Sequence, residues 1–443
     1  MTPVREPVRN ACKVCAPLGA CLALRGIRGA IALLHGGQGC STYIRRYLIG
    51  HFREPCDIPA SNFDESAAIF GGGGRLSAAI GNVDRQFSPA LIGVATTCLA
   101  ETIGDDVPAL VASAIAGLGD KAPATVCVST PSYRGTHAEG FHQTVRELIA
   151  RFVKPLAREA GLVAVLPGLL SPADLRDLRD LISLTGHTPI LLPDYGDSCD
   201  GGVWQGYEPL PDGPTGLQEL ARLGGAERVL ALGGVLDPAV DGSALLAQRS
   251  GAELHRQEFP IGIRATDALF QALGGIPSAL RAERSRLLDA LVDGHKHVSQ
   301  KRVALWGEVD LVVALAGFCW EVGLQPAICA SGAEGGRLRE RLEALRPSGA
   351  EAPLVLAESD FMSLEAAVRE HDCQLLLGHA KGYQMARRLK LPLVRIGFPV
   401  HDRLGGGRLR CVGYRGALEL FDRITDALIG HEQDSSPVGY MNF

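Results

Sequence analysis

The chain has 443 residues, which is too long for one hydrophobic core and predicts two or three domains. Hydrophobic residues make up 46% of it and charged residues 21%, as is typical of a soluble globular protein. The net charge of −5, with no block of lysine and arginine, argues against a nucleic-acid partner, and no apolar run is long enough to span a membrane. Residues 1–10 lack the apolar segment of a secretory signal, so the sequence predicts a cytoplasmic protein.

Two cysteines near the start of the chain are predicted to lie where helices begin. In CAPLGACLAL, Pro17 suits the first turn of a helix, which places Cys15 just before the helix N-terminus. The glycine-rich segment HGGQGC ends in Cys40, and Ser41 is the predicted N-cap of the helix TYIRRYLIGHF. Free N–H groups and the helix dipole favour a thiolate at such positions, so Cys15 and Cys40 are a credible pair of metal ligands.

A third candidate, Cys98, lies at the carboxyl end of the predicted strand ALIGVATTC, before the acidic segment LAETIGDD. A turn from a buried strand into a helix also exposes N–H groups. Ligands of open α/β sheets gather at the carboxyl ends of strands. The polar cluster STPSYRGTH, which follows the next predicted strand, is expected at the same edge.

Short apolar runs alternate with segments of helical period along the whole chain, and PSALRAERSRLLDALVDGH is the clearest amphipathic helix. This alternation predicts an α/β fold with three doubly wound, Rossmann-like parallel-sheet domains, spanning residues 1–155, 156–300 and 301–443. The predicted strands are ALIGVATTC, ATVCVST, GLVAVLPG, TPILLPD, RVLALGGV, KRVALWG, PAICASG, APLVLAE, CQLLLGHA and LPLVRIGFP.

The chain has twelve cysteines, and a reducing compartment makes structural disulfides among them improbable. Most are expected to be small core residues, because they sit in apolar runs or on the apolar face of a predicted helix; Cys21, Cys127, Cys319 and Cys329 are examples.

Two kinds of metal site remain open for the other cysteines. A zinc site built from Cys12, Cys15, Cys21 and Cys40 is disfavoured, because the second pair is too widely spaced for a zinc ribbon. An iron–sulfur cluster can take its thiolate ligands from separated loops, and this suits Cys15, Cys40 and Cys98 together.

The order and wording of several motifs resemble the β-type subunit of nitrogenase component 1 and its relatives. The resemblance covers nearly the whole chain. It is carried by CAPLGACLALRGIRGAIALLHGGQGCSTYIRRYLIGHFREP, SAAIFGGG, TTCLAETIGDD, STPSYRGTH, FPIGIRATDALF, LRAERSRLLDALVDGH, KRVALWGEVD and LPLVRIGFPVHDRLG.

The resemblance implies three α/β domains and an α2β2 heterotetramer with an α-type subunit. A P-cluster-type iron–sulfur cluster at each α/β interface would relay electrons from a transient iron–sulfur reductase, which alone binds ATP, to a cofactor in the α subunit. Its ligands on this chain would be Cys15, Cys40 and Cys98. Ser132 would match the serine that can ligate the oxidised cluster, and Phe70 the aromatic residue of the reductase-docking face. An apolar anchor suits a transient partner, although a core phenylalanine is the alternative for Phe70.

The cysteine and histidine motifs that hold the α-subunit cofactor have no match here, so no catalytic residue is expected on this chain. The segment RRYLIGHFREPCDIPASNF resembles nitrogenase-like methylthio-alkane reductase, which cleaves C–S bonds of small organic sulfides. A nitrogenase β subunit and a cofactor-assembly scaffold subunit are the alternatives. Cys12 has no counterpart in the motifs that carry the resemblance.

Overall fold

A computed structural model describes residues 12–437, apart from residues 205, 236–238 and 335–336. The described chain divides into two compact units. The first unit contains residues 14–232 and 239–256, and the second unit contains residues 12–13, 233–235 and 257–437. No helix within these ranges is long and apolar enough to cross a membrane.

The first unit opens with a parallel sheet of β1 (Ala30–His35), β2 (Leu91–Thr96) and β3 (Ala124–Val128), adjacent in that order. Every residue of β1 and β2 is buried, which accounts for their continuous apolar sequences. Since His35 pairs with Thr96, both strands end at the same edge of the sheet. The helices of this region are α1 (Ala16–Arg25), α2 (Gln38–Phe52), α3 (Glu65–Phe70), α4 (Gly73–Phe87), α5 (Cys98–Ile103), α6 (Val107–Ala116) and α7 (His137–Phe152).

A second sheet follows in the same unit, with β4 at its centre in parallel pairing with β5 and β6. Its elements are β4 (Leu162–Leu166), α8 (Pro172–Ser183), β5 (Thr188–Leu191), α9 (Leu217–Arg222), β6 (Arg228–Leu232), α10 (Ser243–Ser250) and β7 (Glu253–Gln257). The strand order is β5-β4-β6-β7.

The second unit is built on a parallel sheet with the strand order β10-β9-β8-β11-β12. Its central strand carries the fully buried Trp306. Its elements are α11 (Gly262–Ala272), α12 (Arg281–Val298), β8 (Arg302–Gly307), α13 (Val309–Val322), β9 (Gln325–Ser331), α14 (Leu338–Leu345), β10 (Leu354–Leu356), α15 (Phe361–Glu370), β11 (Leu375–Gly378), α16 (Tyr383–Leu389), β12 (Leu393–Arg395) and α17 (Gly413–Ser435).

The α/β class with three parallel sheets is confirmed, and each predicted strand overlaps a strand of the structure. The domain boundaries near residues 155 and 300 stay a prediction. Two strands were not predicted from the sequence. β1 follows an equally apolar helix after a short turn, so periodicity does not separate the two, and β7 (ELHRQ) is polar and only half-buried.

Close contact between α1 and α7 fixes the start of α1. A Cβ atom at Gly19 would lie 1.8 Å from the His137 carbonyl oxygen, and one at Gly140 would lie 2.0 Å from the Ala16 carbonyl oxygen. The Val14 carbonyl also accepts a hydrogen bond from the backbone N–H of His137 at 3.0 Å. The two helix backbones therefore touch at Gly19 of α1 and Gly140 of α7, close to the turn that contains Cys15.

Candidate functional site

Cys15 is the N-cap of α1, as the sequence predicted. Its backbone is extended (φ −71°, ψ 151°), and Pro17 occupies the first turn. Burial raises the pKa of the Cys15 thiol, while hydrogen bonds from the Leu18 backbone and from the Ser132 side chain act in the opposite direction and favour the thiolate. Metal binding at this position would displace the thiol proton.

Cys40 lies in the first turn of α2, which begins earlier than predicted. The N-cap is Gly37, and the prediction that Ser41 caps this helix is wrong. Ser41 is inside the helix, where its hydroxyl donates to the Ile58 carbonyl. The helix can begin at Gln38 because Gly37 adopts the extended backbone of a cap without needing a capping side chain. Cys40 is exposed as a residue but its thiol is partly buried, and this partial burial, followed by the nearby Cys98, raises the pKa of the thiol.

Cys98 is the first residue of α5, with Thr97 as the N-cap. Its sulfur accepts a hydrogen bond from the backbone N–H of Ser132 at 3.2 Å. Ser132 thus contacts Cys98 through its backbone and Cys15 through its side chain, and Cys40 lies close enough to influence both thiols electrostatically. The structure therefore brings together all four residues that the resemblance assigned to one site.

The carboxylate of Glu101 joins the turns that carry Cys98 and Ser132. Its Oε1 atom accepts hydrogen bonds from the Thr96 hydroxyl at 2.5 Å and the Ser129 hydroxyl at 2.6 Å. The Thr96 hydroxyl oxygen also accepts from the backbone N–H of Thr130 at 2.8 Å. This role of Glu101 was not predicted from the sequence, because Ser129 meets it only in the folded chain.

A buried histidine network also lies beside the site and was not predicted. His35, the last residue of β1, is fully buried, and its Nε2 lies 3.0 Å from Oδ2 of Asp105. Its Nδ1 lies 3.0 Å from the Ser61 hydroxyl. Burial lowers the pKa of His35, and Asp105 acts in the opposite direction. Only the fold brings these three residues together, since they are distant in sequence.

Large apolar side chains are exposed beside the cysteines. Phe70, at the end of α3, is 85% exposed, so within this chain it is not a core residue. Ile69 beside it is 73% exposed, and we call these two residues the Ile69–Phe70 surface. Tyr43, Leu99 and Tyr133 are also exposed, each within three residues of Cys40, Cys98 or Ser132. Exposed apolar side chains grouped around reactive groups are typical of a surface that a partner covers.

The other cysteines do not build a second site. All twelve cysteines are free thiols in this structure. Cys21, Cys319 and Cys329 are buried as predicted, whereas Cys127 is only half-buried. No group of three or more His, Cys, Asp or Glu side chains within the described ranges is arranged around a single metal ion, so the zinc interpretation has no support.

Cys12 is buried in the second unit. Its backbone N–H donates to the Ser359 carbonyl at 3.0 Å, and burial raises the pKa of its thiol to about 12. It packs in the core beside β8 and β9. Cys12 is therefore a protonated core thiol.

Comparison with known proteins identifies the family of the chain. The model of the family described as "Nitrogenase component 1 type Oxidoreductase" matches residues 15–429. The chain belongs to the nitrogenase component 1 family. A nitrogenase molybdenum-iron protein beta chain from Clostridium pasteurianum is 32% identical over 427 residues, which cover 95% of this chain and 93% of that one. This nitrogenase component 1 protein is thus related along nearly its whole length to β chains.

Two further similarities refine this relationship. The nitrogenase iron-molybdenum cofactor biosynthesis protein NifN of Bradyrhizobium diazoefficiens is 33% identical, covering 98% of this chain and 92% of that one. The solved structure "Nitrogenase Cp1 at pH 6.5" superimposes with a TM-score of 0.94 at 31% identity, covering 100% of this chain and 98% of that chain. The family member is therefore of the β type, and overall identity does not separate an enzyme subunit from an assembly subunit.

The exposure of Cys40 leads to a labelling prediction. In the unassembled chain, a maleimide should modify Cys40 roughly 100-fold faster than the buried Cys21, which reacts only after local opening. Addition of the α-type partner should protect Cys40 if the apolar surface around it is the interface. Mass spectrometry of the labelled peptides measures both rates. Equal labelling of the two cysteines would contradict the geometry of α2.

Proposed function

We propose that this chain is the β-type subunit of a nitrogenase-like two-component reductase, in which Cys15, Cys40 and Cys98 hold half of a P-cluster-type iron–sulfur cluster. The observation that carries the proposal is the convergence of three thiols and Ser132 at one exposed, apolar edge of the β1-β2-β3 sheet. The α-type subunit of an α2β2 heterotetramer would supply the remaining ligands across that edge.

The donor set fits an iron–sulfur group. The three thiols are the ligands that such groups take in proteins, and each stands at the first turn of a helix or immediately before it. Backbone N–H groups at helix starts favour thiolates and can donate to cluster sulfides. The residues next to the three cysteines in sequence are Gly, Ala, Ser, Thr, Val and Leu, so no charged side chain directly adjoins a proposed ligand.

The residues of the chain position this group and exclude water from it. A cluster of this type supplies one-electron transfer when it is bound. Cys15 and Cys98 are fixed by helix starts, and Ser132 joins them through its backbone and its hydroxyl. Glu101 holds the loop of Ser132 against α5. Tyr43, Leu99 and Tyr133 would be buried by the α-type subunit, and exclusion of water strengthens the electrostatic interactions that set a reduction potential.

We propose that the Ile69–Phe70 surface contacts the ATP-hydrolysing reductase. Two adjacent exposed apolar side chains at the tip of a short helix can anchor a transient partner at small energetic cost to the free chain. Asp64 caps this helix by accepting from the backbone N–H of Ala67 at 2.9 Å, and it pairs with Arg75. The surface is therefore presented on a capped helix.

The reaction we propose is reductive C–S cleavage of small organic sulfides, as in methylthio-alkane reductase. Support comes from the segment RRYLIGHFREPCDIPASNF, which forms the second half of α2 and the residues that follow it up to Phe63. The rival functions are dinitrogen reduction and cofactor assembly. The first is supported by the 32% identity to the Clostridium pasteurianum β chain, and the second by the 33% identity to NifN.

One assay separates the three functions. The purified complex of this chain with its α-type partner is incubated with the reductase, ATP and dimethyl sulfide, or with dinitrogen in a parallel reaction. We expect methanethiol from dimethyl sulfide. Ammonia without methanethiol would identify a nitrogenase subunit, and cofactor transfer to an apo-enzyme without turnover would identify a scaffold. A complex without the reductase is the control.

A further inference from the structure

The His35 network joins three segments of the first unit. Both carboxylate oxygens of Asp105 accept from the backbone N–H of Gly72, at 2.9 Å and 3.2 Å, so Asp105 holds the turn directly after the Ile69–Phe70 surface. The same carboxylate holds the buried His35 ring at the end of β1. On the far side of the ring, the Ser61 hydroxyl oxygen accepts from the backbone N–H of Gly36 at 3.0 Å.

The backbone of His35 extends the network to the cysteine turns. Its carbonyl oxygen accepts from both the N–H and the hydroxyl of Thr97, at 3.1 Å each, immediately before Cys98. Gly36 begins the turn that leads to Cys40, and a Cβ atom there would lie 2.0 Å from the Thr97 hydroxyl oxygen. His35 is thus clamped between the turns that present two of the three thiols.

The hydrogen-bond directions are fixed by counting donors. The Asp105 carboxylate can only accept, so Nε2 of His35 must carry a hydrogen, and in a neutral ring Nδ1 then accepts from the Ser61 hydroxyl, whose oxygen also accepts from Gly36. His35 Nε2–H then donates to the Asp105 carboxylate, which is the tautomer of a neutral ring. Every donor therefore meets an acceptor in this series of hydrogen bonds, which runs from Gly36 through Ser61, His35 and Asp105 to Gly72.

The residues of this hydrogen-bond network are also closely packed. The rings of Phe63 and His35 meet edge to face with centroids 4.7 Å apart. A Cβ atom at Gly72 would lie 2.1 Å from the Phe63 ring and 2.7 Å from Asp105. The turn after the Ile69–Phe70 surface is therefore held by the same groups that enclose the His35 ring, with no room for an independent movement of either.

We propose that His35 and Asp105 are positioning residues that hold the Ile69–Phe70 surface at a fixed position and orientation relative to the turns carrying Cys40 and Cys98. The proposal rests on the proposed function, because a fixed relative position matters only if a reductase docks at the surface. A docked reductase would then meet the cluster site at one distance and orientation. His35 is fully buried and Asp105 is hydrogen-bonded to it, so we assign neither residue a direct contact with the reductase or the cluster. Their contribution is to make the docking surface and the thiol site a single rigid part.

Amide hydrogen exchange on the assembled complex tests directly whether His35 and Asp105 couple the turn at Gly72 to the turn at Gly36. Asp105→Ala should accelerate exchange roughly tenfold in the peptides containing Gly72 and Gly36, since both ends lose support. Asp106→Ala is the matched control: this neighbouring acid caps α6 through Ala109 and touches neither end, so both peptides should exchange as in the wild type. Acceleration at Gly72 alone would overturn the proposal.

Ser61→Ala tests the same coupling from the Gly36 end of the network, and it removes only the hydrogen bonds of the Ser61 hydroxyl to His35 and Gly36. The variant leaves the Asp105–Gly72 bonds intact, so faster exchange at Gly72 would show that the loss at Ser61 reaches Gly72 through His35 and Asp105. Unchanged exchange at Gly72 would overturn the proposal even if Asp105→Ala does not fold.

Electron delivery provides a second readout on the same complexes. Reduction by the ATP-driven reductase should slow about tenfold in Asp105→Ala, whereas iron content and reduction by a small chemical reductant should match the wild type. An equal decrease in the rates of reduction by the reductase and by the chemical reductant, or a loss of iron, would show that Asp105 only stabilises the fold. A wild-type complex without iron would instead refute the proposed function, so the two failures are distinguishable.

Discussion

Replacing Cys40 by alanine should remove most of the iron from the assembled complex and lower reductase-driven activity at least about tenfold. Cys40 is the most exposed of the three thiols and lies in the first turn of α2. Changes even to groups that only orient metal ligands commonly cost about 10- to 100-fold, and loss of a ligand costs at least as much. Iron analysis and the electron paramagnetic resonance spectrum of the complex measure the effect.

Cys21→Ala is the matched control for this experiment. Cys21 is 2% exposed on α1, and alanine is well tolerated in a helix, so stability should change by about 1 kcal/mol or less and iron should be retained. Cys12→Ala should likewise retain iron. Full iron occupancy after loss of Cys40, or equal losses in Cys40→Ala and Cys21→Ala, would contradict the ligand assignment.

Gly19→Ala should destabilise the first unit by about 3 kcal/mol and impair cluster binding. The added methyl group would lie 1.8 Å from the His137 carbonyl oxygen and 2.6 Å from the Phe141 nitrogen, both backbone atoms that cannot rotate away. α1 must then separate from α7. Since Cys15 caps α1, this movement displaces a proposed ligand as well. Urea denaturation and iron content of the same preparation measure the two effects.

Gly81→Ala provides a control with the opposite sign. Gly81 lies in α4, and no heavy atom approaches the position of an added Cβ within 4 Å. Alanine there should therefore stabilise the helix by about 0.5–1 kcal/mol without changing iron content. If Gly19→Ala proved as harmless as Gly81→Ala, the close contact of α1 and α7 would be wrong.

The fold class was predictable because buried parallel strands have a distinctive sequence. β2, β4, β6 and β8 are continuous apolar runs bounded by polar or glycine-containing segments, and each was predicted. β1 was missed because local periodicity cannot distinguish a buried strand from the buried helix before it. What makes residues 30–35 a strand is pairing with β2, which is distant in sequence.

The candidate site was predictable in its thiols and not in its supporting groups. Helix-start signals pointed to Cys15, and the glycine-rich turn pointed to Cys40, although the helix start at Gln38 rather than beyond Ser41 was not evident. The roles of His35, Asp105 and Glu101 depend on contacts of β1, β2 and α5 with the loops after α3, α5 and β3, which only the folded chain creates. A lone histidine or carboxylate in a sequence carries no signal of such a partner.

The central claim is that Cys15, Cys40 and Cys98 hold one half of a cluster shared with an α-type partner. The most direct test is a structure of the assembled complex with anomalous diffraction recorded at the iron edge. Iron peaks should lie within bonding distance of all three sulfur atoms, at the boundary between the two subunits. Iron confined to the partner, or no iron beside these three cysteines, would contradict the account.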